Sequence, residues 1–407
     1  MQNELQTALF QAFDTLNLQR VKTFSVPPVT LCGPGSVSSC GQQAQTRGLK
    51  HLFVMADSFL HQAGMTAGLT RSLAVKGIAM TLWPCPVGEP CITDVCAAVA
   101  QLRESGCDGV IAFGGGSVLD CSKYIAAGAC YDGDPWDFSS GAAAPERALP
   151  LITVLTLAAT GSEMDNGGVI TNIETKDKIG RGYPCMQPKV SFLDPTETYS
   201  VGRYQTACGC ADILSHLLEI YFVPEGGSMY MLDRFMEGMI KTVIKYAPVA
   251  LEQPDSYEAR ANLMWTSSWA INGMAGALQN CGWTCHPIEH ELSAIYDITH
   301  GLGLAILTPR WMKYVLDDTT VGRFREYGVN VFGIDPSLPT MDIARRSIEL
   351  TEDFLFNKLG LQSTLTEIGI DSRNFDIMAG KSCHGEVLKG YKALTPEDVR
   401  KILEVCL

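Results

Sequence analysis

Short β-rich runs alternate with helical patterns from residue 21 to about residue 195, and the alternation stops after Asp194-Pro195. HLFVMAD (51–57), GIAMTLWP (77–84), DGVIAFGGG (108–116) and LPLITVLT (149–156) are the clearest strands, with helical stretches such as ITDVCAAVAQLRESG between them. A chain alternating in this way buries its strands in a parallel sheet covered by helices on both faces. Beyond the boundary, long helical stretches such as YQTACGCADILSHLLEIYF and PEDVRKILEVCL dominate and β-branched runs become scarce. The expected architecture is an α/β domain over residues 21–195 followed by an all-α domain over residues 196–407. Ahead of both, residues 1–20 place Leu5, Leu9, Phe13 and Leu16 at helical spacing. Such an extension either docks on its own protein or a dimer mate, or acts as a targeting tag for a shell or partner protein.

A length of 407 residues suits two or three domains, and 46% hydrophobic with 18% charged residues reads as an ordinary globular protein. The net charge of −13 argues against nucleic acid or an anionic membrane as partner. No apolar run reaches the ~18 residues of a membrane span, and no basic leader precedes an apolar core. The 15 cysteines are scattered, odd in number and without paired CxxC motifs, which points to reduced thiols and a cytoplasmic protein.

VIAFGGGSVLDCSKYIA, residues 110–126, reads as strand, glycine turn and helix. Gly114, Gly115 and Gly116 allow a phosphate close to the backbone, and Ser117 opens a helix whose positive end faces that anion. A glycine turn of this kind also serves sterics alone, but three further features favour a dinucleotide. Gly33-Pro34-Gly35-Ser36 forms another glycine turn near the first strand. Asp57 ends the strand HLFVMAD, where it either caps a helix or hydrogen-bonds an adenosine ribose and repels a 2′-phosphate. The segment from Thr156 through Thr160 and Ser162 follows a strand with small hydroxyl residues. Asp120, at the start of the helix after the turn, either holds the nicotinamide end or merely favours the helix N-terminus.

Asp212 and His216 lie four apart in a helical pattern, as do His286 and His290, so each pair projects from one helical face. Either pair alone can be a simple hydrogen-bonded couple. One uninterrupted helix would put His300 about 21 Å from His286, so the chain must turn back if both bind one ion. Asp297-Ile-Thr299 supplies cap residues for a new helix there. Four ligands then emerge as Asp212, His216, His286 and His300, with His290 left over. His51, His61 and His384 fall outside this cluster and take structural or surface roles.

The DxxxH pair, the HxxxH with a histidine fourteen on, the GGGS turn and the TGSE segment resemble, in this order, the iron-containing alcohol dehydrogenase family. The resemblance covers nearly the whole chain. It implies a dehydroquinate synthase-like fold, in which a nucleotide-binding α/β domain and a helical metal-binding domain flank a cleft. It further implies that Asp212, His216, His286 and His300 are metal ligands, that His290 helps to move the proton, that Lys178 sits near the cofactor, and that the protein pairs as a homodimer. Up to the GGGS turn the chain is similar to the ethanolamine-utilisation alcohol dehydrogenase, which implies entry into a bacterial microcompartment through residues 1–20. From Asp120 onward YDGDPWDFS, LTLAATGSEMDNGGVITN and HELSAIYDITHGLGLAILTP are similar to the butanol dehydrogenase branch. A mosaic joined near residues 114–122 is therefore expected.

The function this implies is metal-dependent hydride transfer between a nicotinamide and small aliphatic aldehydes or primary alcohols. Asp57 favours NAD(H), although many butanol-branch relatives use NADP(H). Fe2+ follows from the resemblance, with Zn2+ suiting the same donors. The competing reading is a metal-dependent lyase or hydrolase on the same framework, whose acidic substrate would require a basic pocket; no Lys/Arg cluster lies near the histidines in sequence. An inactive fusion is the third.

Overall fold

The computed structural model describes residues 28–85, 91–224, 228–276 and 282–407. The amphipathic extension over residues 1–20 lies outside them.

Six strands form one parallel sheet: β1 (Val29–Cys32), β2 (His51–Asp57), β3 (Ala79–Cys85), β4 (Gly109–Gly114), β5 (Leu151–Leu155) and β8 (Val190–Leu193). Their order is β1-β8-β5-β4-β2-β3. The four expected strands become β2 to β5. Alternation along each strand sorts the residues between two cores. Leu52, Val54, Ala56, Ile111 and Phe113 face helices Cys40–Thr46 (α1), Ser58–Gln62 (α2) and Ala67–Val75 (α3). Phe53, Met55, Val110 and Ala112 face helices Ile92–Ser105 (α4) and Gly116–Gly128 (α5). Each of these strand side chains is fully buried, so each apolar one stabilises the sheet by roughly 1.5–3 kcal/mol.

The sequence pattern did not announce an antiparallel hairpin, β6 (Gly167–Asn172) and β7 (Asp177–Gly182), standing apart from the sheet. Its root is tied to α5. Asp120 accepts the Val169 N–H at 2.9 Å and the Ser162 hydroxyl, while fully buried Lys123 pairs with Asp165 and donates to the Gly167 carbonyl.

From Arg203 onward the chain is helical. Helix Arg203–Tyr221 (α7, with Trp136–Ser140 as α6) is buried along nearly its whole length, packed against Tyr230–Glu252 (α8), Tyr257–Ile271 (α9) and His300–Val315 (α11). Cys285–Tyr296 (α10) ends at Asp297, which adopts a left-handed φ of 52°, and α11 begins at His300. The expected reversal is present, but Thr299 makes no side-chain cap; the left-handed Asp297 turns the chain instead. Gly301 then lets α11 approach α7 so closely that a Cβ there would lie 2.0 Å from the Cys208 carbonyl oxygen. That contact seats the start of α11 against Cys208, one helical turn before Asp212, and brings His300 Nε2 to 3.7 Å from Asp212 Oδ1.

A buried polar seam joins the two halves. Thr153 donates to Ser191 at 2.7 Å, Ser191 donates to the Glu163 carbonyl at 2.7 Å, and Ser268 of α9 donates to the Glu163 carboxyl. The other Glu163 oxygen is buried without a hydrogen-bond partner. Burial raises this carboxyl from 4.5 to about 7. An acid whose folded pKa is raised loses folding free energy as pH climbs from its unfolded value, near 4.5, through about 7. Glu163→Gln should therefore match the wild type at pH 5 and exceed it at pH 8 by at most about 3 kcal/mol. Thermal melts across that range test this, and a stability difference that does not change with pH would refute it.

Candidate active site

In the parallel sheet the chain moves outward from β2 to β3 and in the opposite sense from β4 to β5, so β2 and β4 flank the switch point. The crevice beyond the carboxyl ends of such strands is where open α/β sheets bind ligands. Gly114 ends β4 and Gly115 precedes α5 at its N-cap without a side-chain cap, leaving the first amides of that helix for a ligand oxygen. A Cβ on Gly116 would lie 2.4 Å from the Thr160 methyl group, so only glycine fits between the turn and the TGSE segment.

Asp57 sits at the end of β2 across this crevice, and its Oδ1 accepts from the Phe59 and Leu60 N–H groups at 2.9 and 3.1 Å. The structure thus gives it the capping role, with one oxygen committed. Thr156 is buried, its N–H donating to the Gly114 carbonyl at 3.0 Å. Asp120 has both carboxylate oxygens engaged, by Ser162 and Val169, so it cross-ties α5 to the hairpin.

A cleft of about 840 Å³ gathers Ser117, Asp120, Thr160, Ser162 and Lys178 with His216, His286, His290 and His300. Asp57, Thr156 and the three turn glycines lie outside its lining. His384, expected elsewhere, lies on its rim. His51 and His61 are bonded to Thr81 and Thr66, each at 2.9 Å.

The helix geometry brings three imidazole nitrogens around one carboxylate oxygen, with Asp212, His216 and His286 the tightest group. Asp212 Oδ1 lies 3.6 Å from His216 Nε2, 3.6 Å from His286 Nε2 and 3.7 Å from His300 Nε2. Ligands around a tetrahedral ion with bonds of ~2.1 Å stand about 3.4 Å apart. Asp212 Oδ1 and His286 Nε2 are buried without any hydrogen-bond partner, an arrangement that costs free energy unless a cation is shared between them. The residues present therefore fit a divalent ion. Burial lowers the His216 imidazole to about 4 against the pull of Asp212. Burial also opposes protonation of His286, but Glu219 and Asp212 together raise it to about 10.

Two residues that the sequence analysis passed over orient these ligands. Buried Glu219 accepts from His286 Nδ1 and from the backbone N–H groups of Thr284, Cys285 and His286, which also caps α10. Buried Glu289 accepts from His300 Nδ1 and from the Ser293 hydroxyl. Carboxylates behind metal-binding imidazoles fix the tautomer and ring direction. A signal existed: Asp212, His216 and Glu219 follow i, i+4, i+7 on one face of α7.

His290 stands beside this group, its ring centroid 5.5 Å from that of His300 and 6.4 Å from that of His286. Burial holds its imidazole well below the ordinary value, with His300 and Lys178 adding to the effect. Lys178, Arg181 and Lys381 all line the same cleft, which corrects the expectation that no basic cluster lies near the histidines. They come from β7 and from helix Phe375–Ser382 (α14, after Val321–Phe332 as α12 and Thr340–Glu352 as α13), so linear proximity could not reveal them. Among them, Lys381 is paired with Asp177 and Arg181 Nε donates to the Ser139 carbonyl.

A glycine turn at a sheet switch point, with one carboxylate and three imidazoles in the cleft beside it, is an arrangement that fits a nucleotide- and metal-dependent enzyme. The chain belongs to the iron-containing alcohol dehydrogenase family: the model "Iron-containing alcohol dehydrogenase" matches residues 27–195, and "Fe-containing alcohol dehydrogenase family, C-terminal" matches residues 206–407. It is 43% identical over 383 residues to NADH-dependent butanol dehydrogenase A of Clostridium acetobutylicum, covering 94% of this chain and 98% of that protein. It is 55% identical over 314 residues to the probable alcohol dehydrogenase EutG of Escherichia coli, covering 77% of this chain and 78% of that protein. The crystal structure of an NADH-dependent butanol dehydrogenase A from Thermotoga maritima superposes with a TM-score of 0.89 at 34% identity, over 95% of this chain and 98% of that one. The chain is an alcohol dehydrogenase and aldehyde reductase; the lyase and inactive-fusion readings are not favoured. The two resemblances are not confined to separate portions, because a match of 314 residues extends far past residue 122. Packing across the expected join is continuous, with Phe113, Leu119 and Cys121 fully buried, as a functional fold requires whether or not the chain is a mosaic.

Proposed function

We propose that Asp212, His216, His286 and His300 hold Fe2+ (or Zn2+), and that NAD(H) lies along the glycine turn with its nicotinamide reaching the metal side of the cleft. The observation that carries this reading is the convergence of one carboxylate oxygen and three imidazole nitrogens at 3.6–3.7 Å. When bound, the ion supplies Lewis-acid activation of the substrate oxygen, and the nicotinamide supplies or takes the hydride.

The chain's own residues do the rest. Gly116 and the first amides of α5 receive the pyrophosphate, with Ser117, Thr160 and Ser162 beside it. Lys178 contributes positive charge near the reacting end, and Asp120 holds the hairpin that carries it. His290 exchanges the hydroxyl proton with solvent, supported by its half-buried ring next to His300. Ile271, Trp283 and Pro287 give the cleft an apolar wall, which suits small aliphatic aldehydes and primary alcohols.

Asp57 favours NAD(H) by repelling a 2′-phosphate from the end of β2. The test is absorbance at the reduced nicotinamide band with acetaldehyde or butyraldehyde, before and after adding Fe2+ or Zn2+. NADH is expected to give the higher kcat/KM, and Asp57→Gly to narrow its lead over NADPH by at least about tenfold, roughly one ion-pair's worth of discrimination. Higher kcat/KM with NADPH in the wild type would overturn the cofactor assignment, and no turnover with any metal would overturn the function.

A homodimer belongs to the same proposal. Its support is the edge of the sheet at β1, unpaired on its outer side among the described residues, where Val29 is exposed and Cys32 lines a separate apolar groove of about 870 Å³ containing Trp265 and Trp269. Sedimentation of a purely monomeric species at micromolar concentration would exclude it. No helix among the described residues is long and apolar enough to cross a membrane. Residues 1–20 are the proposed contact to a microcompartment shell, on the strength of their amphipathic spacing. Deleting them should abolish shell association and leave turnover intact.

A further inference from the structure

The β6–β7 hairpin is fastened at both ends, and to different halves of the molecule. Its root and the body of β6 belong to the α/β half, through Val169 on Asp120, Gly167 on Lys123 and a bridge from Thr171 to Cys91. Its tip reaches across the cleft to the helical half. There Lys381 of α14 places its ammonium 2.7 Å from Asp177 Oδ1, 2.7 Å from the Lys176 carbonyl and 3.3 Å from Glu291 Oε2. Two of the three ammonium protons are taken by the hairpin. The Glu291 contact is an ion pair outside hydrogen-bonding geometry, so the two bonds to the hairpin dominate. The backbone is shaped for this grip: Lys176 takes a left-handed φ of 54°, while Asn172 accepts from the Glu174 and Thr175 N–H groups and tightens the turn.

Between the two fastenings the hairpin runs over the cleft. Lys178 is buried and lines it, and a Cβ on Gly180 would lie 3.9 Å from His290 Cε1. Glu291, the residue after His290, is held in the same knot.

We infer that Lys381 is a positioning residue that straps the β6–β7 hairpin of the α/β half onto the helical half, holding Lys178 and Gly180 against the reacting end of the cleft. The role assigned to that end rests on the function proposed above; the strap itself rests on the contacts alone. Asp177 and Lys381 are each about one-third exposed, at 31% and 32%, so solvent weakens the pair and the strap can release at each turnover. A first fastening that is permanent and a second that yields make a hinged flap.

The test uses the full-length, metal-loaded protein. Lys381→Met keeps the length of the side chain and removes the charge. Amide hydrogen exchange over residues 172–182 is expected to quicken at least about tenfold in Lys381→Met, with exchange in β4 and α7 unchanged. The NADH dissociation constant, read by nicotinamide fluorescence, should rise about fivefold or more, because binding then selects a minor closed population. Lys381→Arg should restore both to within about twofold of the wild type. Unchanged hairpin exchange in Lys381→Met would overturn the strap. Should Lys381→Met lose exchange protection throughout the molecule, Asp177→Asn decides on the same two readouts. Faster hairpin exchange in a wild-type background that never turns over aldehyde would leave the strap standing and sink only the functional reading.

Discussion

Asp212→Asn is expected to leave the fold intact, to retain less than about a tenth of the wild-type metal, and to lower aldehyde reduction at least about 1,000-fold, equivalent to roughly 4 kcal/mol of transition-state stabilisation. Asp212 is the only carboxylate among the four donors, and its Oδ1 sits 3.6–3.7 Å from each of three imidazole nitrogens. That oxygen is buried and accepts no hydrogen bond, so a divalent cation at the shared point would satisfy it and its charge together. Asparagine keeps the volume and one oxygen but removes the charge, leaving three neutral imidazoles to bind a divalent ion in a buried site. Metal analysis of the purified variant, alongside kcat/KM with added Fe2+, reads the outcome. Full metal content with activity within tenfold of the wild type would mean that the four residues do not form the metal site.

How far this arrangement could be read from the chain depends on where the physical signal lies. Leu52 to Asp57 and Val110 to Gly114 are readable because a buried parallel strand is a continuous apolar run ending at a turn. The β6–β7 hairpin carries no such run: glycines, Thr171, Asn172, Asp177 and Lys178 alternate with only Val169, Ile170 and Ile179, and what holds it is Asp120, Lys123 and Lys381 from elsewhere. The convergence of Asp212, His216, His286 and His300 was readable because imidazoles are scarce and their spacing restricts geometry. Glu289 was hidden because its partner His300 lies beyond a chain reversal. Asp57 exposes a different limit. Capping and ribose recognition ask for the same carboxylate at the same strand end, so residue type alone could not separate them; the hydrogen bonds to Phe59 and Leu60 show the first and commit only Oδ1, which leaves the second compatible with it.

Glu219 permits a sharper test, because two substitutions separate its two jobs. One carboxylate oxygen, Oε2, accepts from the Thr284 and Cys285 N–H groups at the start of α10, while Oε1 faces His286 Nδ1. In Glu219→Gln the amide oxygen can still serve the Thr284 and Cys285 N–H groups, but the amide nitrogen then faces His286. Two donors cannot share that contact, so His286 must carry its proton on Nε2, the atom that points at Asp212 and the ion. The cap survives and the ligand is turned into a donor aimed at a cation. Metal affinity should fall by about 10- to 100-fold, the range seen when such orienting partners are removed, with little change in stability. Glu219→Ala removes both jobs and leaves three buried N–H groups without an acceptor. It should cost about 3–5 kcal/mol of stability in addition to the lost metal. Competition with a chromophoric chelator measures the affinity, and denaturant titration of the metal-free proteins measures the rest. Equal metal affinity in the wild type and Glu219→Gln would show that the His286 tautomer is set by something other than Glu219, and the ligand geometry derived from it would have to be abandoned.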